Sequence, residues 1–96
     1  MDYKPDEKFM RLAIAEAQAA KRAGDYAIGA VVVREGAVLA SSGNRIKLEC
    51  DPTQHAEIAA IRLACASLRT RHLEGAVLIQ QLNRVQCVPP LRSGRV

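Results

Sequence analysis

His55-Ala56-Glu57 is the stretch of this chain best suited to chemistry. An imidazole is a common zinc ligand, and a metal-bound water is acidified until it is a nucleophile near neutral pH. A carboxylate beside it can carry protons between that water and a leaving group. Residues at i and i+2 diverge by about 200° around an ideal helix, so the pair converges only if both lie in a first turn. Asp51 as cap, Pro52 at the first helical position and Gln54 three residues after the cap predict such a helix start. The positive end of the helix dipole would favour the anions of the site. By itself the triplet is weak. A satisfied histidine and a solvated glutamate are its ordinary meaning.

The elements that would position it are legible. Phe9, Met10, Ala13, Ile14 and Ala17 recur at helical spacing after Pro5 and Asp6, and Gly24-Asp25 ends that helix. Gly29 to Val33 reads as a strand, Arg34-Glu35-Gly36 as a turn and Ala37 to Ala40 as the returning strand. Ser41-Ser42-Gly43-Asn44 leads into a polar loop through Cys50. The second helix is apolar nearly all round from Ala56 to Leu68, a pattern that predicts burial on every side. Ala76 to Ile79 is a third strand. Beyond Gln81 the periodicity stops, and Pro89, Pro90 and Gly94 suit neither a helix nor a central strand. No repeat and no second domain are visible.

The chain has 96 residues, 49% hydrophobic and only 3% aromatic, so its core must be built from Ala, Val, Ile and Leu. Residues 1–81 carry a net charge of +1, whereas residues 82–96 hold Arg84, Arg92 and Arg95 and no acid. The basic character therefore belongs to the tail, which argues against a nucleic-acid footprint on the body. Three cysteines, Cys50, Cys65 and Cys87, are odd in number and unevenly spaced, so a disulfide framework is not expected. No signal peptide and no membrane-spanning run are evident, and a cytoplasmic protein is the expectation.

Asp51-Pro52-Thr53-Gln54-His55-Ala56-Glu57-Ile58, followed by Ala60-Ile61-Arg62, resembles the cytidine and deoxycytidylate deaminase family. That family joins H-x-E to a downstream P-C-x-x-C. Phe9-Met10-Arg11-Leu12-Ala13, Ile28-Gly29-Ala30-Val31-Val32-Val33 and Gly43-Asn44-Arg45 resemble its branch of bacterial guanine, nucleoside and tRNA-adenosine deaminases. Ala60 to Cys65 is most similar to the guanine deaminase side. The resemblance covers roughly residues 6–79. It implies an α/β fold of three layers, α/β/α, around a central mixed sheet, truncated here after the third strand. It implies a zinc ion held by His55, Glu57 as proton shuttle, and substrate contacts from Asn44 and the Ala56 backbone. Without the resemblance, Asn44 is equally a loop asparagine favouring a turn. The reaction implied is hydrolytic loss of ammonia from a purine or pyrimidine base or nucleoside, by attack of zinc-bound hydroxide. A homodimer is a possible assembly. Membrane and nucleic-acid partners are not expected, with tRNA left open.

The family pattern breaks after Ile79. A segment of the type T-x-E-P-C-x-M-C-A should follow, carrying both thiolates, and Gln80 to Cys87 contains nothing of the kind. Cys87 has no partner two or three residues away, and Cys65 suits a buried small hydrophobe. Synonymous codons for Gln80 to Pro90 can be chosen so that reading from each codon's third base yields Thr-Thr-Glu-Pro-Cys-Pro-Met-Cys-Ala-Ala. The expectation is a frame slip near Ile79–Gln80, a deaminase part over 1–81, and an out-of-frame or unstructured basic tail over 82–96. Such a chain should neither bind zinc tightly nor deaminate. The alternatives are a degenerate, non-catalytic subunit or binding module, and a basic nucleic-acid arm.

Overall fold

The structure, a computed structural model, describes residues 7–82. The expectations for Pro5, Asp6, Cys87 and the tail beyond Leu82 fall outside these residues.

The first element, α1 (Glu7–Arg22), carries an acid in its first turn and Lys21 and Arg22 in its last, matching the helix dipole. Gly24, at φ 95°, turns the chain out of it. The amides of Gly24 and Asp25 bond back to the carbonyls of Lys21 and Ala20 at 3.0 and 2.9 Å, the left-handed glycine ending common to helices. Then come β1 (Ile28–Arg34) and β2 (Ala37–Gly43), joined by Glu35 and Gly36, both at positive φ. A two-residue hairpin turn of that hand matches the twist of the strands. α2 (Ala56–Leu68) and β3 (Val77–Leu82) complete the described chain.

The sheet order is β2-β1-β3, and both pairings are antiparallel. Among the described residues there is no parallel pair. β1 is the central strand, and its alternation builds three layers. Val31 and Val33 face α1, packing with Phe9, Ala13 and Ile79. Ile28, Ala30 and Val32 face α2, packing with Ala56, Ala60 and Ala64. A strand covered on both faces must be apolar throughout, and Ile28 to Val33 is.

Glycine sets how closely α1 lies. Gly29 and Gly43 are paired across the ladder. A Cβ built on Gly29 would stand 2.1 Å from the Ala13 carbonyl oxygen and 2.6 Å from the Ala17 nitrogen. On Gly43 it would stand 2.7 Å from the Glu16 carbonyl oxygen.

Three sequence expectations need correction. β2 runs on to Gly43 rather than ending at Ala40, because Ser41 sits at an edge where its hydroxyl reaches Glu16 Oε2 at 2.6 Å. β3 runs on to Leu82, because its backbone pairs with β1 as far as Ile28, whatever side chains it carries. And α2 is not buried all round. Its alanines 56, 59, 60 and 64 form the packed face, while Ile58, Ile61, Leu63 and Leu68 are 36–52% exposed.

Candidate functional site

α2 begins later than its sequence signal suggested. Pro52 and Thr53 form a turn, and the helix starts at Ala56 with His55 as its cap residue. Asp51 serves that turn instead of the helix. Its Oδ1 accepts the Thr53 amide at 2.9 Å and the Thr53 hydroxyl at 2.6 Å. The result favours the site. A helix starting at Pro52, as the cap signal predicted, would have left His55 at the end of its first turn and put Glu57 in the second. Here His55 is the cap and Glu57 lies in the first turn, as convergence requires.

His55 is exposed, and its carbonyl accepts the Ala59 amide at 2.9 Å. It caps no amide with its side chain, so the imidazole is uncommitted to the helix start. Glu57 is half-buried, and its Oε1 accepts a hydrogen bond from Gln80 Nε2 on β3 at 3.1 Å. Gln80 had no sequence signal as a site residue, since only the β3–β1 register brings it near α2.

Asn44 does the capping that His55 does not. Its Oδ1 accepts the Ala56 amide at 3.2 Å, satisfying one of the free N–H groups at the start of α2. Asn44 is 1% exposed, and its Nδ2 donates to Asp25 Oδ1 at 3.0 Å. The Ala56 amide is therefore occupied within the fold.

Asp25 is the residue that the sequence did not reveal. It is 4% exposed. Besides Asn44 it accepts the amides of Tyr26 at 2.7 Å, Lys47 at 2.9 Å and Leu48 at 3.0 Å. In the sequence it follows a helix-ending glycine and reads as a stop signal. Two of the amides that converge on it, those of Lys47 and Leu48, come from a loop over twenty residues away. Burial pushes its carboxyl up, but the bonds from Asn44, Leu48, Tyr26 and Lys47 together outweigh burial and hold it below its ordinary value of 3.8. Because the folded value lies lower, Asp25 stabilises the fold fully above the unfolded value. That contribution is lost as pH falls through the folded value. Melts at descending pH should show stability falling below about pH 4, and Asp25→Asn should flatten the fall.

Among the described residues no three His, Cys, Asp or Glu side chains gather where a metal could be held. Cys50 is exposed on the loop before α2. Cys65 lies ten residues along α2 from His55, about 15 Å at the helical rise. No buried side-chain nitrogen or oxygen among these residues lacks a partner. A zinc ion needs three protein ligands and an open position in a catalytic site. At the His55–Glu57 site the described residues supply one imidazole, so the donor set does not fit the ion. A groove of about 540 Å³ runs beside β2, lined by Glu16, Ser41, Arg45, Glu49 and Arg62 among others, but neither His55 nor Glu57 lines it. No described helix is long and apolar enough to cross a membrane.

Residues 3–88 match the family model of the cytidine and deoxycytidylate deaminase zinc-binding region. The chain is 50% identical over 89 residues to the tRNA-specific adenosine deaminase of Agrobacterium fabrum, covering 92% of this chain and 59% of that protein. It is 38% identical over 73 residues to the guanine deaminase of Bacillus subtilis, covering 75% of this chain and 47% of that one. A solved structure from a study of A-to-I editing by tRNA deaminases at the wobble position superimposes with a TM-score of 0.76 at 47% identity, over 78% of this chain and 58% of that one. The Bacillus subtilis guanine deaminase structure superimposes with a TM-score of 0.74 at 36% identity, over 80% of this chain and 50% of that one. The chain spans roughly half the length of the curated relatives it matches, 48%, 59% and 45% of the first three. The fold is cytidine deaminase-like, and this chain belongs to the cytidine and deoxycytidylate deaminase family.

Proposed function

We propose that this chain is the His-x-Glu half of a hydrolytic deaminase acting on a purine amine, and that its 96 residues alone neither hold zinc tightly nor deaminate. His55 is the metal-ligating imidazole, and Glu57 moves the proton between water and the departing ammonia. Asn44 contacts the base through the second N–H that it keeps beyond its bond to Asp25, and the Ala56 backbone lies beside the base. The observation that carries the reading is the joint placement of His55 at the cap and Glu57 in the first turn of one helix. An adenosine in tRNA is the favoured substrate. What supports it is the 50% identity to a tRNA-specific adenosine deaminase, against 38% for a guanine deaminase. The low charge of residues 1–81 does not oppose this, since the chain spans only about half the length of the relatives it matches.

Inactivity follows from the donor set. A frame slip near Ile79–Gln80 explains why a family member lacks the thiolate pair. Metal analysis of the purified 96-residue chain should find far less than stoichiometric zinc, and stoichiometric zinc would overturn the reading. The nucleotide sequence past codon 79 should encode a P-C-x-x-C segment in another frame. If no frame encodes it, the slip is wrong. The second reading is a non-catalytic binding module. What favours it is Gln80, whose side-chain amide engages Glu57 Oε1 at 3.1 Å in the chain as written. It predicts cooperative unfolding that added chelator leaves unchanged.

A further inference from the structure

We propose that Asp25 is a positioning residue for the His55–Glu57 pair: it sets which way the Asn44 amide faces and, through Asn44, where α2 begins. The proposal rests on reading His55 and Glu57 as the working pair.

The argument is one of donors and acceptors. Asp25 is buried, and both of its oxygens are engaged. Oδ1 accepts from Tyr26 and from Asn44 Nδ2, and Oδ2 accepts from the amides of Lys47 and Leu48. An ionised carboxylate only accepts, and a backbone N–H only donates. Asn44 stands between one of each, with Asp25 at its nitrogen end and the Ala56 amide at its oxygen end. Turning the Asn44 amide over would set acceptor against acceptor at one end and donor against donor at the other. One orientation survives, and it anchors Ala56, the residue between His55 and Glu57. The same carboxylate gathers the 47–48 amides. It therefore ties the entry to β1 to two points of the connection that leads from β2 to α2.

Asp25→Asn keeps the shape and inverts the logic. Its NH₂ must face either the amides of Lys47 and Leu48 or those of Tyr26 and Asn44, and every one of these is a donor. If Asp25 only pinned the 47–48 turn, the damage would stop at Leu48. Residue-resolved hydrogen exchange on the full chain, carried on a solubility tag, separates the two. In Asp25→Asn the Ala56 amide should exchange about tenfold faster or more, the ratio expected for one lost buried hydrogen bond. The Val31 amide in the central strand should stay within about twofold of the parent. The double variant Asp25→Asn/Asn44→Ala should exchange Ala56 no faster than Asn44→Ala alone, because the link is already cut. Unchanged Ala56 exchange in Asp25→Asn, or additive effects in the double variant, overturns the proposal. Should Asp25→Asn unfold, the unmodified chain still decides. The Asn44 Nδ2 proton that faces Asp25 should then exchange as slowly as the Ala56 amide, and its exchange at a free-amide rate overturns the proposal. None of these measurements uses metal or turnover, so their failure is separate from failure of the deaminase reading.

Discussion

A chimera in which residues 80–96 are replaced by the corresponding remainder of the Agrobacterium fabrum tRNA-specific adenosine deaminase should bind zinc stoichiometrically and deaminate, where the 96-residue chain should do neither. The body of the domain is ready for this. β1 is covered on both faces, and α2 presents His55 at its cap and Glu57 in its first turn. What is wanting is a second and third donor, since one imidazole cannot hold an ion against water. The exchange also removes Gln80, whose amide occupies Glu57 Oε1 at 3.1 Å. In the chimera Glu57→Gln should lower kcat by about 10²–10⁴-fold, the usual worth of a positioned proton carrier. His55→Ala should lose the metal as well as the activity. Zinc content and ammonia release from a tRNA substrate check both. A chimera that binds zinc yet responds to Glu57→Gln by less than about tenfold would remove Glu57 from its proposed role.

The second large effect concerns stability. Gly29→Ala should cost about 3 kcal/mol or more, at or beyond the usual range for overpacking. The added methyl would sit 2.1 Å from the Ala13 carbonyl oxygen and 2.6 Å from the Ala17 nitrogen. Both are backbone atoms of α1, so no side chain can swing aside, and the helix as a whole must lift from β1. Lifting it opens the Phe9, Ala13, Val31, Val33 and Ile79 cluster. A domain of this size has roughly 5–15 kcal/mol in hand, and small ones lie toward the lower end. Urea unfolding should show a midpoint far below that of the parent. Gly36→Ala is the control. Nothing lies within 4 Å of its added Cβ, although its φ of 77° is left-handed. It should cost only about 1–2 kcal/mol. Equal midpoints for the two variants would refute the close-packing argument.

The site was legible only in part. His55 and Glu57 could be named because their chemistry lies in their types and their two-residue spacing. The start of their helix was misplaced by a turn, because Asp51 and Pro52 carry a cap signal that an isolated turn satisfies equally well. The all-apolar α2 promised burial on every side. Its packed face follows the alanines, which allow close approach, and leaves the larger Ile58, Ile61, Leu63 and Leu68 outward. Asn44 was named for a contact with substrate, and the fold adds that its amide also bonds Asp25 and the Ala56 amide.

The residue order alone determined the family, the element order and the want of a thiolate pair, because each is a matter of local type and spacing. Tertiary structure decided which face of α2 is packed, that Gly29 and Gly43 let α1 lie against the sheet, that Gln80 meets Glu57, and that Asp25 governs Asn44. Each of these depends on a contact between segments a dozen or more residues apart. No local pattern encodes the direction in which such partners approach.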